Sequence, residues 1–254
     1  MRNVRDMSPI PQIHCLVLAA LLAGCGGSGA GSGPVVPPPV VGSVAGLYLG
    51  TASGGRTFDV LVLDSGRFYG MLGTNAGGLT NVYIGTGAVT ATSFNSTTAS
   101  DFPLLGGAFK SATLTSTGVP KASLTGTLSG GITFSSSYDP SFEAAPSLAT
   151  VAGTYRGDAS GPEGVGLLTA TIDAAGAVTA TTLGCSLTGT VTPHAGANVY
   201  DITFTFGAGC KARGTLGGHG LLNTTPGPPA LTRITVILTS GDFAEGLVFI
   251  GSKS

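Results

Sequence analysis

Apolar and polar residues alternate along much of this chain with a period of two. Tyr200, Ile202, Phe204 and Phe206 are separated by Asp201, Thr203 and Thr205, which gives one apolar and one polar face, the pattern of a half-buried strand. Ile234, Val236 and Leu238 alternate with Thr235 and Thr239 in the same way. So do Leu168, Ala170 and Ile172 with Thr169 and Thr171, while Leu124 and Leu128 face away from Ser123, Thr125 and Thr127. Beyond residue 25 no stretch sustains a helical period, and Thr and Val recur where sheets favour them. Asp64-Ser65-Gly66, Asp173-Ala174-Ala175-Gly176, Gly217-Gly218 and Ser240-Gly241-Asp242 read as turns at hairpin distances. Short connections make sequential strands antiparallel neighbours and leave no crossover helices for a parallel sheet.

The pattern occurs twice. Val44-Ala45-Gly46-Leu47-Tyr48-Leu49-Gly50-Thr51-Ala52-Ser53-Gly54 is echoed by Val151-Ala152-Gly153-Thr154-Tyr155-Arg156-Gly157-Asp158-Ala159-Ser160-Gly161. A spacing of roughly 100 residues is too long for a solenoid repeat, so the echo reads as a duplicated domain. A second echo, Gly-Ala-Val-Thr-Ala-Thr at 87–92 and 176–181, falls at a different offset. Two β-domains are therefore expected, at 43–145 and 146–254, with Pro140, Pro146 and Ser147 allowing at most a short helical turn between them. About six to eight strands per copy would leave two exposed edges unless the sheet closes. The fold class is all-β: two tandem antiparallel domains, up-and-down barrels or, alternatively, sandwiches. Gly46-Leu47-Tyr48 and Gly153-Thr154-Tyr155 resemble the Gly-x-Trp opening of lipocalin and avidin barrels, over the first two strands only. The resemblance favours the barrel and carries no ligand residues across, since biotin binding in that class rests on tryptophans and this chain has none.

The N-terminus carries a separate signal. Arg2 and Arg5 precede an apolar run from Cys15 to Leu22 that is too short to span a membrane and ends at Gly24-Cys25-Gly26-Gly27. Leu22-Ala23-Gly24-Cys25 resembles the lipobox of bacterial lipoproteins at all four positions. That resemblance implies a signal peptide over 1–24, cleavage before Cys25, a diacylglyceryl group on its sulfur and an added acyl chain, palmitate in kind, on the new amino terminus. Cys15, preceded by Gln12, Ile13 and His14, lacks the small residues and would leave with the signal. Gly26 stands where Gram-negative lipoproteins retained at the inner membrane carry Asp, so the resemblance points to the outer membrane, with the body facing periplasm or cell surface. Several chains on one residue anchor stably where one alone is marginal. Translation starts at Met1 or at Met7; the latter would remove both arginines. Residues 25–42 form a Gly/Ser/Pro-rich tether with nothing to build a core.

Composition narrows the function further. The 254 residues carry a formal net charge of −1 and only 9% charged side chains, so no basic stripe invites nucleic acid. Cys185 and Cys210 bracket two strands whose hairpin would bring their ends together, and an oxidising compartment would join them. A metal pair there lacks support, because His194 and His219 show no ligand spacing to the cysteines. Gly157-Asp158-Ala159-Ser160-Gly161-Pro162 suggests a serine-protease nucleophile segment, but Ala separates Asp from Ser and the first copy has no acid in the matching Gly50-Thr51-Ala52-Ser53. His194 and His219, among Gly, Ala and Pro, read as loop histidines, and Asp139 before Pro140 as a turn former. Glu143, Glu163 and Glu245 are isolated, and no carboxylate pair argues for glycosidase chemistry. No catalytic residue, metal ligand or cofactor is assigned. The expectation is a lipid-anchored outer-membrane lipoprotein with a non-enzymatic binding or structural role, whose membrane contact is the lipid on Cys25; the alternative is a lipocalin-like carrier of a small apolar ligand. An integral outer-membrane barrel is disfavoured by the missing aromatic girdles.

Overall fold

A computed structural model of the chain describes residues 42–76, 78–105, 109–207, 209–225 and 231–254. The segment expected to be a signal peptide, Cys25 and the expected tether up to residue 41 lie outside the described residues.

Each copy is a closed, eight-stranded, up-and-down antiparallel barrel. The first comprises β1 (Gly46–Ala52), β2 (Arg56–Val62), β3 (Arg67–Gly73), β4 (Leu79–Thr86), β6 (Ser93–Pro103), β7 (Lys110–Val119), β8 (Ser123–Leu128) and β9 (Ile132–Tyr138), with the two-residue β5 (Ala88–Val89) against β6. The pairings β1–β9 and β4–β6 close it. The second comprises β10 (Gly153–Gly161), β11 (Gly164–Ile172), β12 (Ala177–Thr182), β13 (Cys185–Pro193), β14 (Tyr200–Phe206), β15 (Thr215–Thr225), β16 (Leu231–Thr239) and β17 (Gly246–Lys253), closed by β10–β17. Between them lie a 3₁₀ turn at Pro140–Glu143 and α1 (Leu148–Val151). Asp139 caps the 3₁₀ turn, its carboxylate accepting from Ser141 N at 2.9 Å, so the turn-forming expectation for this residue is met. Closure settles the barrel-or-sandwich alternative in favour of the barrel and removes both sheet edges.

The sequence echo is a structural one. Tyr48 donates to Val44 O at 3.1 Å and Tyr155 to Val151 O at 2.8 Å, all four residues fully buried. Gly66 and Gly176 open the third strand of each barrel with φ of +81° and +85°, a region glycine enters without penalty. Each accepts a backbone bond from the next strand of its barrel, from Gly87 N at 2.8 Å and Val191 N at 2.7 Å. Gly87 itself follows β4, so the Gly-Ala-Val-Thr-Ala-Thr echo joins non-equivalent positions.

Inside, large rings face glycines. A Cβ on Gly70, Gly85 or Gly126 would stand 2.9, 2.9 or 2.8 Å from the rings of Phe58, Phe68 or Phe134, and one on Gly189 2.9 Å from Phe204. Alternating small against large lets a narrow barrel be filled with aromatics, which accounts for glycine at these strand positions. A third apolar cluster lies outside both barrels. Leu61, Leu63, Tyr69, Val82, Ile84 and Phe102 of the first barrel pack with Val199, Ile237 and Val248 of the second, so the outer faces of β2, β3, β4, β16 and β17 are buried as well as the inner ones. The duplicated domains are thus one compact body.

Away from that contact, the second barrel presents hydroxyls. Thr154, Thr171, Thr179, Thr188, Thr205 and Thr215 pair in register across β10 to β15. They form one continuous row, with side-chain bonds of 3.1 Å between Thr154 and Thr171 and 2.9 Å between Thr205 and Thr215.

Candidate functional site

Strand register assembles the one polar constellation that spans both barrels among the described residues. Thr192 of β13 pairs with Asp201 of β14, Asp201 with His219 of β15, and His219 with Ile237 of β16, so all four lie on one outward row that ends at the inter-barrel core. His194, two residues beyond Thr192, has the same orientation, and its backbone N–H bonds Val199 O at 2.9 Å across the β13–β14 connection. The result is a chain of contacts. The Asp201 Oδ1 atom stands 2.8 Å from His194 Nδ1 and 3.1 Å from His219 Nε2. The other nitrogen of His219, Nδ1, is 2.6 Å from the Tyr69 hydroxyl of β3. Arg67 Nε donates to that hydroxyl at 3.1 Å, and its second nitrogen donates to Thr239 Oγ1 at 2.8 Å while the guanidinium lies 4.5 Å from the Phe243 ring.

Burial holds His219 neutral. Its pKa is pushed down to about 4, desolvation outweighing the attraction of Asp201. A neutral ring has one proton, and the network is satisfied when Arg67 donates to Tyr69, Tyr69 to His219 Nδ1, and His219 Nε2 to Asp201. Burial also raises the Tyr69 pKa, against the opposing effect of Arg67, so the phenol keeps its proton. The middle member of the cluster is the most open: side-chain exposure is 48% for Asp201, 26% for His194 and 16% for His219. Beside them opens a cleft of about 540 Å³ lined by Thr190, Thr203, Thr215, Gly217, Ser240 and Gly241.

The cysteines lie in a separate place. Cys185 and Cys210 are joined as the disulfide expected from the hairpin between them. Beside it the buried Glu163 carboxylate accepts from Ala212 N at 2.9 Å, which seats the loop after β14 on the end of the barrel. Sulfurs bonded to each other offer no thiolate, so this group is a structural staple.

The structure corrects the sequence readings of Gly217-Gly218, His219 and Glu143. Gly217-Gly218, read as a turn, lies inside β15, because Gly218 passes so close to β16 that a Cβ would stand 2.1 Å from Ile237 O. His219, read as a loop residue, is consequently a strand residue held between two barrels. Ser160 of the protease-like segment lies near the end of β10 on the same register row as His219, with Ile237 of β16 and Val248 of β17 standing between them. Glu143, read as isolated, accepts from the Tyr138 hydroxyl at 2.9 Å and pairs with Lys121. Compared with protein-family models, with curated proteins and with solved structures, the chain finds no match in any of the three. Fold and site together define an all-β double barrel with a His-Asp-His cluster on its outer wall.

Proposed function

We propose that this chain is a bacterial lipoprotein, held in the outer membrane by lipid on Cys25, whose double-barrel body has a non-enzymatic binding or structural role. The anchor rests on the Leu22-Ala23-Gly24-Cys25 resemblance and the tether behind it. For the body, the observation that carries the reading is that the barrels are filled. In the first, the rings of Phe58 and Phe134 and of Phe68 and Phe94 pack 4.6 and 5.1 Å apart. In the second, the interior cavity between Tyr155, Ile202, Phe204 and Phe249 measures about 10 Å³. That is room for one water at most, against roughly 300 Å³ or more in ligand pockets, so a carrier with an apolar interior is the weaker alternative. Binding then falls to the outer wall, where the threonine row and the His-Asp-His cluster lie.

Intact-mass analysis of the membrane fraction, native chain beside Cys25→Ala, tests the anchor. The reading expects a native chain beginning at residue 25 with lipid mass added, and a variant that leaves the membrane. Soluble, cleaved and lipid-free protein in both cases would overturn it.

A further inference from the structure

His194, Asp201 and His219 bring two imidazole nitrogens and a carboxylate oxygen within 4.8 Å of one another. Two imidazoles and one carboxylate are a ligand set suited to zinc and neighbouring divalent transition metals. On a tetrahedral ion with bonds of about 2.0–2.2 Å, ligand atoms stand about 3.3 Å apart. The two nitrogens are 2.8 and 3.1 Å from Asp201 Oδ1 and all three donor atoms lie within 4.8 Å of one another, so shifts of the three side chains by about 1 Å or less bring them to that spacing around an ion. His194 lies in the connection after β13 with a quarter of its side chain exposed, which leaves it free to turn toward the ion.

The surroundings supply a second line of support. A ligating histidine usually has its remote nitrogen fixed by a hydrogen bond, and Tyr69 stands 2.6 Å from His219 Nδ1 for that purpose. With an ion on Nε2 the ring proton moves to Nδ1 and the Tyr69 oxygen accepts it, while the phenol proton that had pointed at Nδ1 turns away from the ring. The tyrosine is itself fixed by Arg67, whose charge is turned toward Thr239 and Phe243. On the open side nothing obstructs approach: a Cβ at Gly217 or Gly241 would meet no atom within 4 Å.

We propose that His194, Asp201 and His219 bind one divalent transition-metal ion, with zinc as the type, and leave its remaining coordination positions open to the adjoining cleft. The inference rests on the binding role proposed for the body and names its ligand class, but it is independent of the anchor. A site with three protein ligands and an open position also takes a further ligand on the metal, such as a carboxylate or imidazole from a partner.

The test is calorimetric titration of Zn²⁺ into the tag-free full chain in detergent, repeated with Co²⁺ and read by visible absorption. The expected result is one ion per chain with d–d bands of a tetrahedral or five-coordinate site. Asp201→Asn and His194→Ala should each abolish the bands or weaken binding by well over about tenfold, and Tyr69→Phe should weaken it by about tenfold through loss of its orienting bond. His194→Ala alters a part-exposed connection and keeps the barrel fold, so it carries the test if Asp201→Asn does not fold. No binding by the native chain, or binding equal in native and His194→Ala proteins and so belonging to other donors, overturns the proposal. Because metal binding is read in detergent and lipidation by mass, failure of one leaves the other standing.

Discussion

Gly157→Ala should destabilise the second barrel, and the size of the loss can be worked from the closing seam. Gly157 of β10 pairs with Gly251 of β17, and a Cβ there would stand 1.9 Å from Ile250 O and 2.7 Å from Gly251 Cα. Ordinary carbon contacts lie at about 3.5–4 Å, so β17 would have to retreat by more than about 1 Å along the seam that closes the sheet. Overpacking costs about 1–3 kcal/mol, and the upper end applies because the obstacle is backbone and no side-chain rotamer can relieve it. Against this, replacing a strand glycine by alanine recovers about 0.5–1 kcal/mol of backbone entropy. The net expectation is a loss of about 2 kcal/mol. Gly217→Ala isolates the entropy part, since its Cβ would meet nothing within 4 Å and φ there is not positive; it should be neutral or stabilising by up to about 1 kcal/mol. Urea unfolding followed by far-ultraviolet circular dichroism gives both numbers, provided the m-values match the native chain. The equivalent Gly50, whose Cβ would stand 2.2 Å from Ser135 O, should behave as Gly157 does. If Gly157→Ala is as stable as the native chain, or Gly217→Ala loses as much, the close approach of the first and last strands is not what fixes these glycines.

Three further outcomes are expected. Tyr48→Phe and Tyr155→Phe should each cost about 1–2 kcal/mol in the same urea assay, because each removes the hydroxyl that donates to a buried carbonyl at Val44 or Val151. Replacing Cys185 and Cys210 together by alanine should cost about 3 kcal/mol for a bridge spanning 25 residues, and the difference should vanish when both proteins are compared fully reduced. Burial, and secondarily the proximity of Tyr200, pushes the Tyr155 pKa up to about 12, above the unfolded value of about 10. This stabilisation is complete below pH ~10 and is lost as pH rises through the folded value, so alkaline unfolding should fall in that window. Phenolate absorption should show Tyr155 titrating late and only with loss of dichroism; six tyrosines ionising together near pH 10 in a folded chain would refute it.

The strands that could be read from alternation are those with one wet face. Leu168, Ala170 and Ile172 of β11 and Leu124 and Leu128 of β8 are all buried, and their Thr and Ser neighbours point outward as the period demands. Alternation fails where the barrels meet. Val60-Leu61-Val62-Leu63 is buried at every position, because even residues fill the first barrel while odd ones join the inter-barrel core. Ile237 interrupts the run of Arg233, Thr235 and Thr239 on the outer face of β16 for the same reason. Apolar residues on both faces signal a strand covered twice, but they do not name the cover. The repeat could be recognised because one constraint was duplicated: a tyrosine bonded back to the residue four before it, and a glycine pressed on the last strand.

The outer-wall site was illegible for a different reason. Positions 194, 201 and 219 follow no motif spacing, and only strand pairing turns them into neighbours. Asp201 meets His219 because β14 and β15 pair in that register, and a slip of one residue would turn the row to the other face. The register is in turn set by the interior: Tyr200, Ile202 and Phe204 must face inward, which sends Asp201 out, and Gly218 and Gly220 must face Ile202 and Tyr200, which sends His219 out beside it. The partner of His219 comes from the other copy, since Tyr69 lies on β3 and reaches the ring only because the outer faces of β3 and β16 share one core. Packing the two barrels together therefore does what neither could do alone. It supplies the buried wall that keeps His219 neutral and the hydroxyl that orients it, and leaves Asp201 and His194 at the open end, where an ion can reach them.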